Sequence, residues 1–244
     1  MSRRGKRQSR GVSPPPEEFA PWLGVFETLR VVDGKPLFVA EHFAELQRAM
    51  QALGITSDFD PATALRELPR AFGRWRWIVT PSGARTLFTP QEPLAPEPIE
   101  IAVSPVRVGS ANWDARFKTV SYLAHAQARR MAKTAEVIQL NEHGHVASAS
   151  GANIFWRRDD RLFTPAHEAG CRCGVVRGFV LAQEKVETGH FPVSDVFAAE
   201  EIFLTNSIRG IVSVSRVEGK PVPSSETAAR LRKDYDEEVA RQLG

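Results

Sequence analysis

The sequence predicts an α+β protein of two units, and three observations carry that reading. Strand-like and helix-like segments intermix without the regular βαβ alternation of a doubly wound sheet. A run of small and polar residues, GSANWDA, separates two stretches that each hold several strands and an amphipathic helix. The chain has 244 residues, enough to bury a proper core or two smaller ones. The expected divisions are a basic, proline-rich tail over 1–18, a small amino-terminal α+β domain over 19–108, a linker over 109–115 and a larger carboxy-terminal domain over 116–244.

Element by element, WLGVFETLRVVDGKPLFV reads as two strands about Asp33-Gly34, a dipeptide suited to a tight hairpin. Phe43, Leu46, Met50 and Leu53 recur at helical spacing and Gly54 stops the helix. Asp60 caps a second helix with Pro61 in its first turn. RWRWIVT and ARTLFT alternate as strands about PSGA, and IEIAVSPVRV is one more strand of the first unit. Beyond the linker, Tyr122 to Ala132 is helical. AEVIQL, HVASAS, NIFWRR and LFTP are short strands with turns at NEHG and RDDR. GVVRGFVLAQEKVE reads as a helix, EEIFLTNS and GIVSVSRVEGK as strands, and SSETAARLRKDYDEEVARQL as a closing helix capped by serine.

Charge narrows the function. The formal net charge is +3, but Arg3, Arg4, Lys6, Arg7 and Arg10 all lie in the first ten residues, leaving the rest near −2. A nucleic-acid binder needs a basic face on its folded body, and the sequence predicts none. The tail reads as a solvated, disordered arm. No apolar run approaches the ~18 residues of a membrane helix, and the basic start leads into prolines and not into a signal peptide's apolar core. Cys171 and Cys173, the only cysteines, stand too close and too alone for a zinc site. They read as reduced thiols, and the cytoplasm is the expected location. His143 and His145 flank a turn glycine with no third ligand, so no metal is expected. Glu200 and Glu201 read as a solvated helix end.

Arginine supplies most of the positive charge, yet Lys118 stands between Phe117 and Val120 where a strand runs into a helix. A surface site would accept arginine equally well. A site needing an amine that can shed its proton would not, because guanidinium stays charged. The plain alternative is an interface salt bridge.

Around Lys118, six segments resemble the successive blocks of the class IV, or fold-type IV, pyridoxal-phosphate enzymes. They are GVFETLR, EHFAELQRAMQALGI, FKTVSYLAHAQARR, AEVIQLNEHGHVASASGANIFW, GVVRGFVL and EIFLTNSIRGIVSV. Each is weak alone, but their order from about Gly24 to Lys220 is not a chance pattern. The resemblance implies a two-domain fold, the second domain α/β-barrel-like, with pyridoxal 5′-phosphate in the cleft and a homodimer as the working unit. It implies that Lys118 links to the cofactor aldehyde through its ε-amine and then serves as the general base. It places the cofactor phosphate on the turn Gly174-Val175-Val176 and the strand end Thr205-Asn206-Ser207, although Val176 stands where threonine is usual.

Within that family the segment GVFETLR is similar to the lyase branch. Phe26 stands where many aminotransferases have tyrosine, and Thr28 matches a lyase threonine beside the substrate. Arg107, closing SPVR, is lyase-like and able to hold a substrate carboxylate, or is a surface arginine. The resemblance implies aminodeoxychorismate lyase chemistry, 4-amino-4-deoxychorismate giving 4-aminobenzoate and pyruvate. A branched-chain or D-amino-acid aminotransferase is the alternative. Three positions and one missing element depart from the family. Ser148 replaces the glutamate that pairs with the pyridine nitrogen, Glu45 an arginine on the phosphate, and Ser121 an asparagine; the first strand with its D-R-G signature is missing. Arg48, three residues beyond Glu45 on the same helical face, is the expected substitute, with Glu45 turned aside. These changes keep open a third reading, a diverged non-catalytic ligand-binding relative.

Overall fold

Alternating burial along VFETLRVV and GRWRWIVT builds the first of two sheets. The computed structural model describes residues 23–94 and 98–244; the tail over 1–18 lies outside them. β1 (Val25–Val32) turns at Asp33 and Gly34, φ 47° and 75°, into β2 (Lys35–Pro36). Positive φ at both positions is what a two-residue hairpin of the right twist demands. α1 (Val39–Leu53) ends at Gly54, φ 68°, and α2 (Pro61–Ala64) is capped by Asp60, whose carboxylate accepts the Ala62 and Thr63 amides. β3 (Gly73–Thr80) and β4 (Gly83–Pro90) complete a four-stranded sheet of order β2-β1-β3-β4. On one face Leu29, Val31, Trp75 and Trp77 pack beneath Leu46 and Leu53 of α1. The alternate residues Phe26, Thr28, Arg74, Arg76 and Ile78 form the other face, which turns toward the rest of the chain.

The second half follows as β5 (Ile99–Val103), α3 (Trp113–Arg116), α4 (Leu123–Met131), β6 (Glu136–Leu140), β7 (Val146–Ala149), β8 (Asn153–Arg158), β9 (Arg161–Pro165) and α5 (Val175–Gln183). Then come β10 (Val186–Gly189), α6 (Val193–Phe197), β11 (Glu201–Asn206), β12 (Gly210–Val217), β13 (Lys220–Pro221) and α7 (Glu226–Leu243). Among the described residues these strands form a nine-stranded sheet, β10-β9-β8-β11-β12-β5-β6-β7 with β13 on β12. Strands are mixed in direction: β5 runs parallel to β12 and β6, while β8 and β11 pair antiparallel. One side is filled by Ile138, Ile154, Trp156, Ile202 and their neighbours, the other by Phe155, Phe203, Leu231 and Tyr235 beneath α5 and α7. That is the α+β architecture the mixed pattern predicts. No helix among the described residues is long and apolar enough to cross a membrane.

Four expectations are corrected. β5 belongs to the larger sheet, so the chain changes sheet between Pro90 and Ile99, not at 109–115, where a turn and α3 stand. An apolar alternating strand fits either sheet, and only its partners in space choose. The helix GVVRGFVLAQEKVE stops at Gln183, and Val186–Gly189 instead pairs in parallel with β9. Finally, Glu201 is no solvated helix end and Ser225 makes no side-chain cap. Glu201 is fully buried and its two oxygens accept the Ala228 and Thr227 amides at 2.7 and 3.2 Å, with Arg157 Nε at 3.6 Å. A carboxylate from the sheet thus satisfies the first turn of α7 and meets the positive end of its dipole.

Replacing Glu201 strands two helix amides in the interior, while Arg157 keeps Asp160 and Glu200 as partners. Glu201→Ala is expected to lower the urea-derived unfolding free energy by about 3 kcal/mol, and Glu201→Gln by less, because an amide oxygen still accepts one bond.

Candidate active site

Backbone pairing fixes Lys118 before any side chain is considered. The Phe26 amide donates to the Lys118 carbonyl at 2.8 Å and the Val120 amide to the Gly24 carbonyl at 2.9 Å, with Val25 opposite Thr119. Residues 118–120 therefore run as an added strand on the edge of β1. Gly24 permits that approach: a Cβ there would lie 3.0 Å from Thr80 Cγ2 and 3.1 Å from Val120 Cγ1.

The Lys118 ammonium lies 3.2 Å from Glu27 Oε2, and the same oxygen lies 2.7 Å from His42 Nδ1. β1 alternation puts Glu27 on its buried face against α1, only 7% exposed. Burial by itself raises a carboxyl pKa. Here the Lys118 charge and the His42 hydrogen bond outweigh burial and hold Glu27 at about 2. Glu27 is therefore a fixed anion beneath the lysine.

Lys118 faces two adjoining cavities between the sheets. The smaller is lined by Glu27, Ser148 on β7, Val175 and Val176 opening α5, Thr205 and Asn206 closing β11, and Ser207 just beyond it. Arg48 and Glu45 of α1 border it too. These segments lie far apart in sequence, and the fold brings them together. The cradle suits a phosphate on its own evidence. α5 begins at Gly174 without a side-chain cap, and the Thr205 hydroxyl is buried without a partner. Gly174 is obligatory, since a Cβ there would fall 2.2 Å from Asn153 Oδ1. The Asn206 side chain is otherwise engaged, accepting the Ile208 and Arg209 amides at 3.0 and 2.8 Å. Glu45 is not turned aside; its Oε2 takes Arg48 Nη2 at 2.6 Å and Nε at 3.0 Å. Arg48 thus reaches the cavity partly neutralised.

The larger cavity, about 530 Å³, is lined by Phe26 and Thr28 and shares Lys118, Tyr122, Gly151, Asn206 and Ser207 with the smaller. Arg107 stands apart. It is exposed and lines neither cavity, lying in the connection between β5 and α3.

Glu27, Tyr122 and Arg172 join the site beyond the residues the sequence predicts. Glu27 carried a legible signal, an acid on the buried phase of an alternating strand. Tyr122 lies at the seam of both cavities, its hydroxyl donating to the Ser150 carbonyl at 3.0 Å. Its ring stacks on His125 at 4.8 Å, meets Phe26 edge-on at 5.7 Å and lies under the Arg172 guanidinium at 5.1 Å. His125 is 2% exposed, and burial followed by the Arg172 charge lowers it to about 4, so it is neutral at physiological pH.

A two-sheet enzyme scaffold with a carboxylate-held lysine beside an anion cradle is the class that fold and site define. The chain belongs to the class IV aminotransferase family, which matches residues 24–217. It is 25% identical over 266 aligned positions to the aminodeoxychorismate lyase of Bacillus subtilis, covering 95% of this chain and 91% of that one. A Thermotoga maritima protein assigned as a branched-chain-amino-acid aminotransferase is 26% identical over 209 positions, covering 79% and 77%. Among solved structures, a Legionella pneumophila protein assigned as a 4-amino-4-deoxychorismate lyase superposes with a TM-score of 0.79 at 20% identity, covering 96% and 97%. At that identity the last likeness concerns the fold.

Two outcomes follow from this geometry. Glu27→Gln removes the anion shared by Lys118 and His42, and is expected to cost about 2 kcal/mol in urea unfolding, less than a fully buried pair because Lys118 is partly solvated. His125 contributes a pH dependence whose sign is fixed by its depressed pKa. Unfolded, it takes a proton below its ordinary 6.5; folded, only below about 4. Stability is therefore full above pH 6.5 and falls as pH drops toward 4, by up to about 3 kcal/mol. Urea unfolding at pH 7 and 4.5 should show this loss in the wild type and a smaller one in His125→Gln.

Proposed function

We propose that the protein is a pyridoxal-phosphate lyase converting 4-amino-4-deoxychorismate to 4-aminobenzoate and pyruvate. The observation that carries the reading is Lys118 at the seam of two cavities, one an anion cradle and one open to substrate. The α5 amides at Val175 and Val176, the Thr205 and Ser207 hydroxyls and Arg48 would hold the phosphate, Lys118 the aldehyde end and Ser148 the ring nitrogen. Bound there, pyridoxal phosphate would supply an aldehyde for an amine and an electron-withdrawing ring.

The chain's own groups do the rest. Lys118 takes the ring C–H proton and returns a proton to the departing enolpyruvyl group, so that pyruvate and the aromatic amine leave with no net gain or loss of protons. Glu27, fixed as an anion, stabilises the lysine whenever it carries the proton. Thr28 and Phe26 border the substrate, Thr28 as a hydroxyl near the reacting amine. Ser148 supports elimination over amino transfer. A hydroxyl cannot keep a pyridine nitrogen protonated as a carboxylate does, so electron withdrawal is weaker. Transamination depends on a long-lived carbanion; an elimination that ends in an aromatic ring is driven downhill and needs less.

An aminotransferase acting on branched-chain or D-amino acids is the second reading, favoured by the Thermotoga maritima relative. Free Cys171 and Cys173 support a reducing, cytoplasmic setting. Exposed Trp113, Leu123 and Met131 on α3 and α4 support a homodimer through that face.

Pyridoxal phosphate added to the purified protein should give a yellow species that borohydride bleaches, leaving a stable label on Lys118; no spectral change would return the chain to a non-catalytic role. With the cofactor bound, 4-aminobenzoate release should exceed keto-acid formation from a panel of amino acids. Ser148→Glu should raise the keto-acid rate about ten-fold, since one charged hydrogen bond is worth ~1.5 kcal/mol. Amino transfer faster than lyase turnover in the wild type would overturn the lyase reading.

A further inference from the structure

The larger cavity carries a charge pattern that the lyase reading does not use. Arg74 and Arg76 are two apart on β3, so both project from the face that bears Phe26 and Thr28. β3 pairs Arg76 with Thr28 and Arg74 with Arg30. Arg129 of α4 and Arg209, just before β12, close the cavity from the other sheet's side, and Lys118 lies between the two walls. The residues lining this space include five cations and no carboxylate. Among the described residues Arg74, Arg76 and Arg209 form no ion pair, and Arg129 reaches only Glu136, at 3.7 Å. The Nε atoms of Arg76 and Arg209 are buried without partners.

Such an arrangement is self-repelling until an anion enters it. Burial, then the charges of Arg76 and Arg129, depress the Arg74 pKa. Arg76 has an aromatic neighbour, with its guanidinium 5.2 Å from the Phe26 ring centre. Arg129 lies against Gly151, where an added Cβ would meet its Cζ at 3.3 Å and Glu136 Oε2 at 3.0 Å, so the small residue keeps this guanidinium at the cavity wall. Arg74 lies in none of the segments that carry the family resemblance. Phe26, Ile78 and Val120 supply apolar surface between the charges, against which the body of a ring bearing carboxylates can lie.

We propose that Arg74 and Arg129 form a clamp across the cleft for a second carboxylate, remote from the amine that meets Lys118, and that this clamp selects cyclic amino dicarboxylates. The proposal deepens the lyase reading and rests on its placing substrate in this cavity. Two guanidiniums from opposite walls give charge-assisted hydrogen bonds to one anion, so both sheets contribute to selection.

The test uses the cofactor-loaded protein and two simple probes, isophthalate and benzoate, in titration calorimetry at fixed low salt. Isophthalate is expected to bind at least about ten-fold tighter, the worth of one added charged contact. Arg74→Leu and Arg129→Leu should each erase that preference while leaving cofactor content unchanged. Arg85→Leu, on the exposed β4, should keep it. Should a leucine variant fold poorly, Arg74→Lys and Arg129→Gln serve in its place and should narrow the ratio. Equal affinity for the two acids, binding of neither, or a ratio untouched by both substitutions overturns the proposal. Failure to release 4-aminobenzoate with the isophthalate preference intact would instead sink the lyase reading and leave the clamp standing.

Discussion

One buried carboxylate joins the two halves of this molecule. Glu27 belongs to the small sheet, His42 to the helix beneath it and Lys118 to the segment that leaves for the larger sheet, and one oxygen of Glu27 meets both nitrogens. A carboxylate so deep would be costly unpaired. Its two cationic or hydrogen-bonding partners make it the more stable anion, and that anion in turn sets where the lysine nitrogen rests. The edge pairing of residues 118–120 with β1 supplies the backbone half of the same constraint.

From that point the two cavities divide the work by charge and shape. The smaller one offers what a compact dianion needs: a helix start without a cap, an unpaired hydroxyl and an arginine whose charge Glu45 partly cancels. The larger one offers guanidiniums on opposite walls separated by apolar surface. The Tyr122 ring, stacked on a neutral His125 and under Arg172, forms the partition between them. A neutral imidazole matters here, because a charged one beside Arg172 would add repulsion to a wall already rich in cations.

The same alternation rule was legible in some strands and silent in others. GVFETLR and RWRWIVT disclose their buried faces directly, since a sheet with one covered side must alternate. Asp33-Gly34, Gly54 and Asp60-Pro61 disclose their turns and caps through backbone chemistry that few other residues can satisfy. IEIAV could not disclose its sheet, because an apolar strand carries no label for its neighbour. EKVE does not disclose its strand, because polar residues at a helix end and at an edge strand are alike in composition. Two consecutive acids are ordinarily solvated, and only the helix start packed above Glu201 reverses that.

By itself the sequence determined the class of fold, most of the elements and the ordered blocks that mark the family, because these follow from local periodicity, turn chemistry and residue type. It also singled out Lys118. Tertiary structure alone decided that the lysine rests on Glu27, that Arg107 stands outside both cavities and that Arg74 and Arg129 face each other's space. Each of those is a meeting of segments distant along the chain, set by which sheet a strand joins and which face it turns, and neither choice is written in local pattern.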